Sequence, residues 1–555
     1  MNSAFEIADS YVDELSELFP PLATSLGVQG RHDEWGDGWG MDGIEAGQDL
    51  ARRYRAELSL HLEAPDPRQS LAAQVIVASI DEQVASFEAG DHFRDLRHLG
   101  SGFGSIRSLF DLMPTGSVEE WNNIIRRLET IEKPLDDYAA RLDAGRQTRI
   151  VVAKRQVNSV ADQARVLSGD DSAFDELLTK AADGGFLTER LSSAVAHAKQ
   201  EAGRFSTWLL ESYMPDAVDE DAVGPDVYKR SADRLVGIGI DPDEAYAWGW
   251  QEFHRLRDEM IRVGDEVIPG AGVLEVKNFL ETDPGGSVNS KEELLEYVDG
   301  VLKKAVDDLA GRHFDVPDVI RPLTVNIAPP GGPLGVYYMR PSEDFSRPGG
   351  VWYAVGDQEV IPVYQHVSTA YHEGFPGHHL QIATAMHEKD NLSRAQRVLT
   401  WYPGYGEGWA MYAEVLMGEL GYFDDARHYF GMLAKQMYRA ARIVVDIGLH
   451  LNKPIDQTSP IAPGEDWGFD TAVEFMRVYG FRTAEQAEAE VKRYLGWPGQ
   501  AIAYKLGERE ILSIRAGVKS RLGSRFDLGE FHAAILRNGA MRLDLLRRTV
   551  EDRVR

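Results

Sequence analysis

Three histidines and a glutamate fall within eight residues in Tyr371-His372-Glu373-Gly374-Phe375-Pro376-Gly377-His378-His379-Leu380-Gln381. A second stretch, Gly406-Glu407-Gly408-Trp409-Ala410-Met411-Tyr412-Ala413-Glu414, follows about thirty residues on. In an uninterrupted His-Glu-x-x-His motif the two histidines stand one helical turn apart and bind one Zn²⁺, while the glutamate takes a proton from the attacking water. A carboxylate from a second helix completes the ligand set, and the second stretch is its natural source. Here His372-Glu373 begins correctly, but Pro376 occupies the place of the second histidine. On a regular helix His378 would point about 120° away from His372, and His379 would lie about 10 Å further along the axis. The Pro376-Gly377 pair removes that obstacle, because proline deletes a helical hydrogen bond and glycine tolerates irregular backbone. A bulge of two extra residues then brings Gly377-His378 where Gly-His stands in an ordinary His-Glu-x-Gly-His motif. The spacing predicts His372 and His378 as ligands, with His379 the alternative to His378, and Glu373 as general base. The competing reading is a polar, kinked helix that holds no metal.

Helical patterns must position these residues. One over 363–388 carries the motif; another over 404–420 carries Glu407 and Glu414, seven residues apart and so on one face. A third, over 424–452, sets Arg439, Arg442, Asp446 and His450 in a polar stripe. That stripe reads either as the wall of a wet cleft or as surface i,i+4 ion pairs. His366 receives no role. Upstream, Leu323-Thr324-Val325-Asn326-Ile327, Val336-Tyr337-Tyr338-Met339 and Val351-Trp352-Tyr353-Ala354-Val355 read as short strands. Pro329-Pro330-Gly331-Gly332-Pro333 and Pro348-Gly349-Gly350 separate them, and they are expected to form the only sheet. Downstream, a helix-turn-helix pattern over 471–492 precedes Arg493, and the Pro498-Gly499 turn leads into a helix presenting Gln500 and Tyr504. Closing helices run over 507–553.

The first half shows apolar periodicity over 4–18, 43–64, 67–89, 118–144, 147–167, 171–182 and 187–213, then over 225–236 and 243–265, the last capped at Asp241. It contains no catalytic cluster and reads as scaffold and one cleft wall. The predicted organisation is a helical lobe over 1–270 and a catalytic lobe over 271–555. The predicted fold class is mainly α, with one small β-sheet near the site.

The strings His-Glu-Gly-Phe-Pro-Gly-His-His-Leu-Gln, Glu-Gly-Trp-Ala-Met-Tyr-Ala-Glu and Pro-Gly-Gln-Ala-Ile-Ala-Tyr-Lys-Leu-Gly (498–507), with Pro20-Pro21-Leu22-Ala23-Thr24-Ser25-Leu26-Gly27, carry a resemblance over nearly the whole chain. Together they resemble the bacterial domain-of-unknown-function family 885. That family is similar to metallocarboxypeptidases of the carboxypeptidase Taq type, within the zincin group. The resemblance implies a helical, clefted zincin-like fold, one zinc ion, and carboxypeptidase-like hydrolysis of short peptides. The Glu407 string also resembles the Glu-Gly-Phe-Ala-x-Tyr string of zinc aminopeptidases, whose first glutamate binds zinc. This implies Glu407 as third ligand and Glu414 as the group that orients a ligand histidine. The same kinship implies Tyr504 and His450 as oxyanion donors. It also implies an edge strand at Tyr338 for pairing an extended peptide, the alternative being a small structural hairpin. Arg493 is suited to hold a substrate carboxylate bidentately, with Gln500 beside it. Two histidines and a carboxylate also describe the facial triad of non-haem iron enzymes, which normally sits on a β-barrel. A peptide-binding relative with an inactive site is the third reading.

Composition narrows the alternatives. The 555 residues are 43% apolar and 10% aromatic, and contain no cysteine, which excludes disulfides, thiolate metal sites and a cysteine nucleophile. A net charge of −30 argues against nucleic acid or an anionic membrane as partner. No apolar run approaches the ~20 residues of a membrane span, and Met1-Asn2-Ser3-Ala4-Phe5-Glu6 opens no signal pattern. The expected location is the cytoplasm. The oligomeric state is not fixed by the sequence; a homodimer is compatible with it. The glycine-rich Gly100-Ser101-Gly102-Phe103-Gly104 lacks the lysine of a phosphate loop.

Overall fold

In a computed structural model of the protein, residues 2–170, 172–328, 335–356 and 358–553 are described, and the chain is mainly α-helical. Two compact units emerge. The first comprises Met1–Asp221, Ser393–Leu399 and Leu495–Trp497; the second comprises Ala222–Leu392, Thr400–Tyr494 and Pro498–Arg555. The boundary predicted at 270 therefore falls at 221/222. The reason is packing: the helix Pro242–Val267 lies along Ala426–Leu451, and Tyr228 donates a 2.7 Å hydrogen bond to Asp446.

In the first unit, helices begin where the sequence supplies caps. The side chains of Ser3, Asp66, Ser101, Ser117 and Thr188 each accept a backbone N–H at a helix start. The core is aromatic, built on Trp35, Phe103, Phe110, Trp121, Tyr138 and Phe205. The pattern over 118–144 proves to be two helices, Val118–Glu129 and Glu132–Gln147, and that over 147–167 begins only at Lys154. The tryptophan-rich loop before Met41 is anchored by buried Arg127, whose guanidinium donates to the Glu34 carbonyl and whose own carbonyl accepts from Trp35 Nε1 at 2.9 Å.

In the second unit a three-stranded sheet consists of β1 (Leu323–Ile327), β2 (Val336–Met339) and β3 (Gly349–Tyr353), in the order β1-β3-β2. β3 runs parallel to β1, with Leu323 opposite Gly349, and antiparallel to β2, with Tyr338 opposite Val351. The third strand thus takes in Gly349 and Gly350 and stops at Tyr353, two residues short of the prediction. The Pro329–Pro333 turn predicted before β2 lies outside the described residues. The sheet is not alone, since Ser287–Val288 pairs antiparallel with Ile361–Pro362.

The site-bearing helices are α1 (His366–Glu373), α2 (His378–His387), α3 (Pro403–Glu419), α4 (Ala426–Leu451), α5 (Ala484–Gly496) and α6 (Ala503–Leu522). α4 is buried along most of its length and forms the spine of this unit. α1 packs on α3, α4 and β2, and α2 packs on α3 and β3. α3 and α6 approach backbone to backbone: a Cβ on Gly408 would stand 2.7 Å from Gly507 Cα, so both positions require glycine. Among the described residues no helix is long and apolar enough to cross a membrane.

Candidate metal centre

The single helix predicted over 363–388 is two. α1 ends at Glu373, α2 begins at His378, and the link contains a cis Phe375–Pro376 peptide bond. The link folds back onto the end of α1. A Cβ on Gly377 would lie 1.9 Å from the His372 carbonyl oxygen, so only glycine permits this approach. Trp409 Nε1 on α3 donates to the Pro376 carbonyl at 2.9 Å and ties the link to the helix that carries Glu407.

This break solves the spacing problem. His372, His378 and Glu407 offer ligand atoms that all lie within 4.8 Å of one another. Glu407 Oε2 is 3.5 Å from His372 Nε2 and 3.4 Å from His378 Nε2. Zinc bonds of about 2.0–2.1 Å in tetrahedral geometry give ligand-to-ligand edges of roughly 3.3–3.4 Å. The donor set and its spacing therefore fit a divalent ion of that size. His372 Nδ1 lies 2.7 Å from Glu414 Oε1, and the other Glu414 oxygen accepts from Ser368 Oγ at 2.6 Å. With the Nδ1 proton held by Glu414, the Nε2 lone pair of His372 is turned toward Glu407 and His378. His378 Nδ1 is buried without a hydrogen-bond partner. His379 is committed elsewhere: Nδ1 lies 3.0 Å from the Tyr338 hydroxyl and Nε2 2.7 Å from the Ile320 carbonyl. Burial pushes its imidazole down to about 4.

Without a metal, the site is a tightly coupled acid–base cluster. Burial opposes charge on His372, yet hydrogen bonds to Glu407 and Glu414 outweigh it and lift the imidazole to about 9. Burial likewise opposes charge on Glu407, and the two histidines hold its carboxyl well below the usual range. Glu373, next in sequence, behaves oppositely. Burial holds its carboxyl above the ordinary value, against the pull of His372 and His378.

The remaining predicted residues sort differently. His450 is fully buried, with Nε2 3.0 Å from the Tyr494 carbonyl and Nδ1 accepting from Val223 N–H at 3.4 Å. Both ring nitrogens are spent, so it is not an available oxyanion donor. Over Arg442, Asp446 and His450 the polar stripe on α4 is buried, neither a surface ion-pair row nor an open wall, while Arg439 is half-buried. Arg442 pairs with Glu490 at 2.9 Å, and Asp446 accepts from Tyr228 and from Gly499 N–H at 3.0 Å. Arg493, Gln500 and Tyr504 do come together: Arg493 Nη2 donates to Gln500 Oε1 at 2.6 Å and to the Tyr504 hydroxyl at 3.3 Å. Arg493 also faces Glu490 at 3.3 Å, which leaves it a shared rather than a free cation. The Tyr338 side chain serves His379 and is not free for a substrate. β2 is nonetheless an edge strand of its sheet.

Sequence reasoning passed over Lys435, Arg482 and Tyr353, and placed Arg439 only in the polar stripe. Lys435 and Arg439 on α4 act electrostatically on both Glu373 and Glu414. Arg482, in the loop before α5, stacks its guanidinium 3.9 Å above the Tyr438 ring. Tyr353, at the end of β3, has a buried hydroxyl with no partner and lies near enough to Glu373 to feel its charge. Lys435 stands four residues before Arg439 and was legible as an extension of the stripe; the other two left no local signal.

Comparison with known proteins gives a fold and a family. The crystal structure of a "putative lipoprotein" from Colwellia psychrerythraea is similar, with a TM-score of 0.84 and 23% identity, covering 99% of this chain and 98% of that one. A "putative lipoprotein of unknown function" from Shewanella oneidensis gives 0.73 and 16%, covering 99% of both chains. No curated protein matches the chain. Residues 20–550 match the model of a bacterial protein family of unknown function, DUF885, and the chain belongs to that family.

Proposed function

We propose that the protein is a zinc-dependent hydrolase of short peptides, carboxypeptidase-like in action. The observation that supports this most is the convergence of His372, His378 and Glu407 around one point, with Glu373 adjoining. A divalent ion held by these three side chains would polarise a scissile carbonyl and lower the pKa of water. Glu373 is the general base. It takes a proton from the water that adds to the carbonyl carbon, then delivers it to the amine as the C–N bond breaks, leaving a carboxylate and a free amine. Burial holds its carboxyl above the ordinary value, which makes it a stronger base than an exposed glutamate. Tyr353 takes the role of oxyanion donor, since its buried hydroxyl has no other partner. Glu414 and Ser368 fix the His372 ring, and Trp409 fixes the link that presents His378.

The test has two stages. Elemental analysis of protein purified without chelator should find one zinc per chain; iron would point instead to facial-triad chemistry. Metal-loaded protein is then incubated with a mixed peptide library and the products are read by mass spectrometry. Cleavage that disappears in Glu373→Gln supports the assignment, and an intact library overturns it.

A further inference from the structure

Beside the metal centre the second unit gathers more positive charge than its acids match. Arg439, Arg442 and Arg482 all stand over the Tyr438 ring, at 5.4, 4.1 and 3.9 Å. Arg439 Nη1 donates to the Lys435 carbonyl at 3.2 Å, which places Lys435 one turn away on the same helix. Arg442 and Arg493 share Glu490. Among the described residues no carboxylate lies within 4.0 Å of Lys435, Arg439 or Arg482, and Glu490 reaches Arg482 only through space. The Nε donors of Arg439 and Arg482 are buried without partners.

The three side chains are half-buried, and charge partly withdrawn from water without a partner is costly, a cost that a ligand carrying the missing counter-charge relieves. In a chain of net charge −30 this surplus is not a general property of the surface. Glu373 and Glu414 reach Lys435 and Arg439 only through space, and a divalent ion at the neighbouring ligands, after neutralising Glu407, would offset one of those two carboxylates. Burial and the adjacent Arg482 and Arg439 charges hold the Lys435 ammonium well below its ordinary pKa, as expected of a site short of anions.

We propose that Lys435, Arg439 and Arg482 form an anion subsite beside the metal centre, and that the substrate is a short acidic peptide with a free C-terminal carboxylate. Two guanidinium groups, joined by a Lys435 amine that a bound anion would favour in its protonated form, suit two carboxylates, one terminal and one on a side chain. The proposal names the substrate class of the peptidase site and rests on that reading.

Binding to metal-loaded Glu373→Gln, measured by calorimetry, separates the two. The probes are N-acetyl-Ala-Glu, its C-terminal amide and N-acetyl-Ala-Ala. The acidic free acid should bind best and the amide worst. Arg439→Gln and Arg482→Gln should each weaken the acidic probe roughly ten- to a hundredfold, the range for a hydrogen-bonded charge. Arg482→Lys, which keeps the charge, should lose less. In the active protein the same variants should raise KM more than they lower kcat. If the acidic probe binds through Arg482 but no peptide is hydrolysed, the subsite stands and the peptidase reading falls. If peptides are cleaved without regard to charge or amidation, or no probe binds, the subsite is overturned.

Discussion

Glu414 Oε1 lies 2.7 Å from His372 Nδ1, while Nε2 of the same ring faces Glu407 Oε2 at 3.5 Å. One imidazole is thus held between two carboxylates from a single helix, seven residues apart. The inner one, fully buried and fixed by Ser368, sets the tautomer; the outer one stands among the ligand atoms. Glu414→Gln should therefore keep the ligand set but loosen its orientation. Metal affinity should fall about ten- to a hundredfold, the usual effect of losing such an orienting group. Competition with a chelator measures it. Unchanged affinity would remove Glu414 from the site.

Glu373 and Glu407 should separate cleanly. Glu373→Gln should retain fold and metal while peptide turnover falls by several orders of magnitude, because an amide cannot accept the water proton. Glu407→Gln should chiefly lose metal. Metal content and turnover of both variants decide the matter. The reverse pattern would exchange their roles.

The two adjacent histidines should differ as sharply. His378→Gln should lose metal with little loss of stability. His379→Gln should retain metal but cost about 1–3 kcal/mol, because the Ile320 carbonyl and Tyr338 hydroxyl lose a buried partner. Thermal unfolding of the two variants, paired with metal analysis, distinguishes them.

What the sequence disclosed was local. Apolar periodicity and capping residues located helices such as Ala4–Leu18, Pro67–Glu88, Pro225–Val236 and Ala426–Leu451 to within a few residues, because both signals act within a turn or two, but Gly102–Leu112 and Lys291–Leu309 were passed over. The Pro376-Gly377 break was legible for the same reason, and it correctly implied that His378 could approach His372. Side-chain commitments formed across the chain were not legible. His450 is used up by the carbonyl of Tyr494 and the amide of Val223, 44 and 227 residues away. Arg493 looked free because Glu490 is a routine helical neighbour, yet that pairing leaves Arg482, in a loop, with no carboxylate within 4.0 Å among the described residues, as is the case for Lys435 and Arg439. The unit boundary moved for a similar reason, since only packing reveals that Pro242–Val267 lies along α4.

Asp446 supplies a pH test away from the metal ligands. Burial pushes its carboxyl up to about 7, although Tyr228 and Gly499 N–H both donate to it. In the unfolded chain an aspartate titrates near 3.9. The folded state therefore holds this proton where the unfolded state has released it. The resulting stabilisation is complete below about pH 4 and declines as pH rises toward 7, by up to about 1.4 kcal/mol per unit. Above pH 7 both states are ionised and the contribution is gone. Asp446→Asn keeps an oxygen for Tyr228 and Gly499 but cannot titrate. Its stability relative to the parent should improve steadily between pH 5 and pH 8 and level off beyond. Urea unfolding of both proteins at fixed ionic strength over that range gives the difference directly. A difference that does not vary with pH would mean that Asp446 is ionised in the fold throughout.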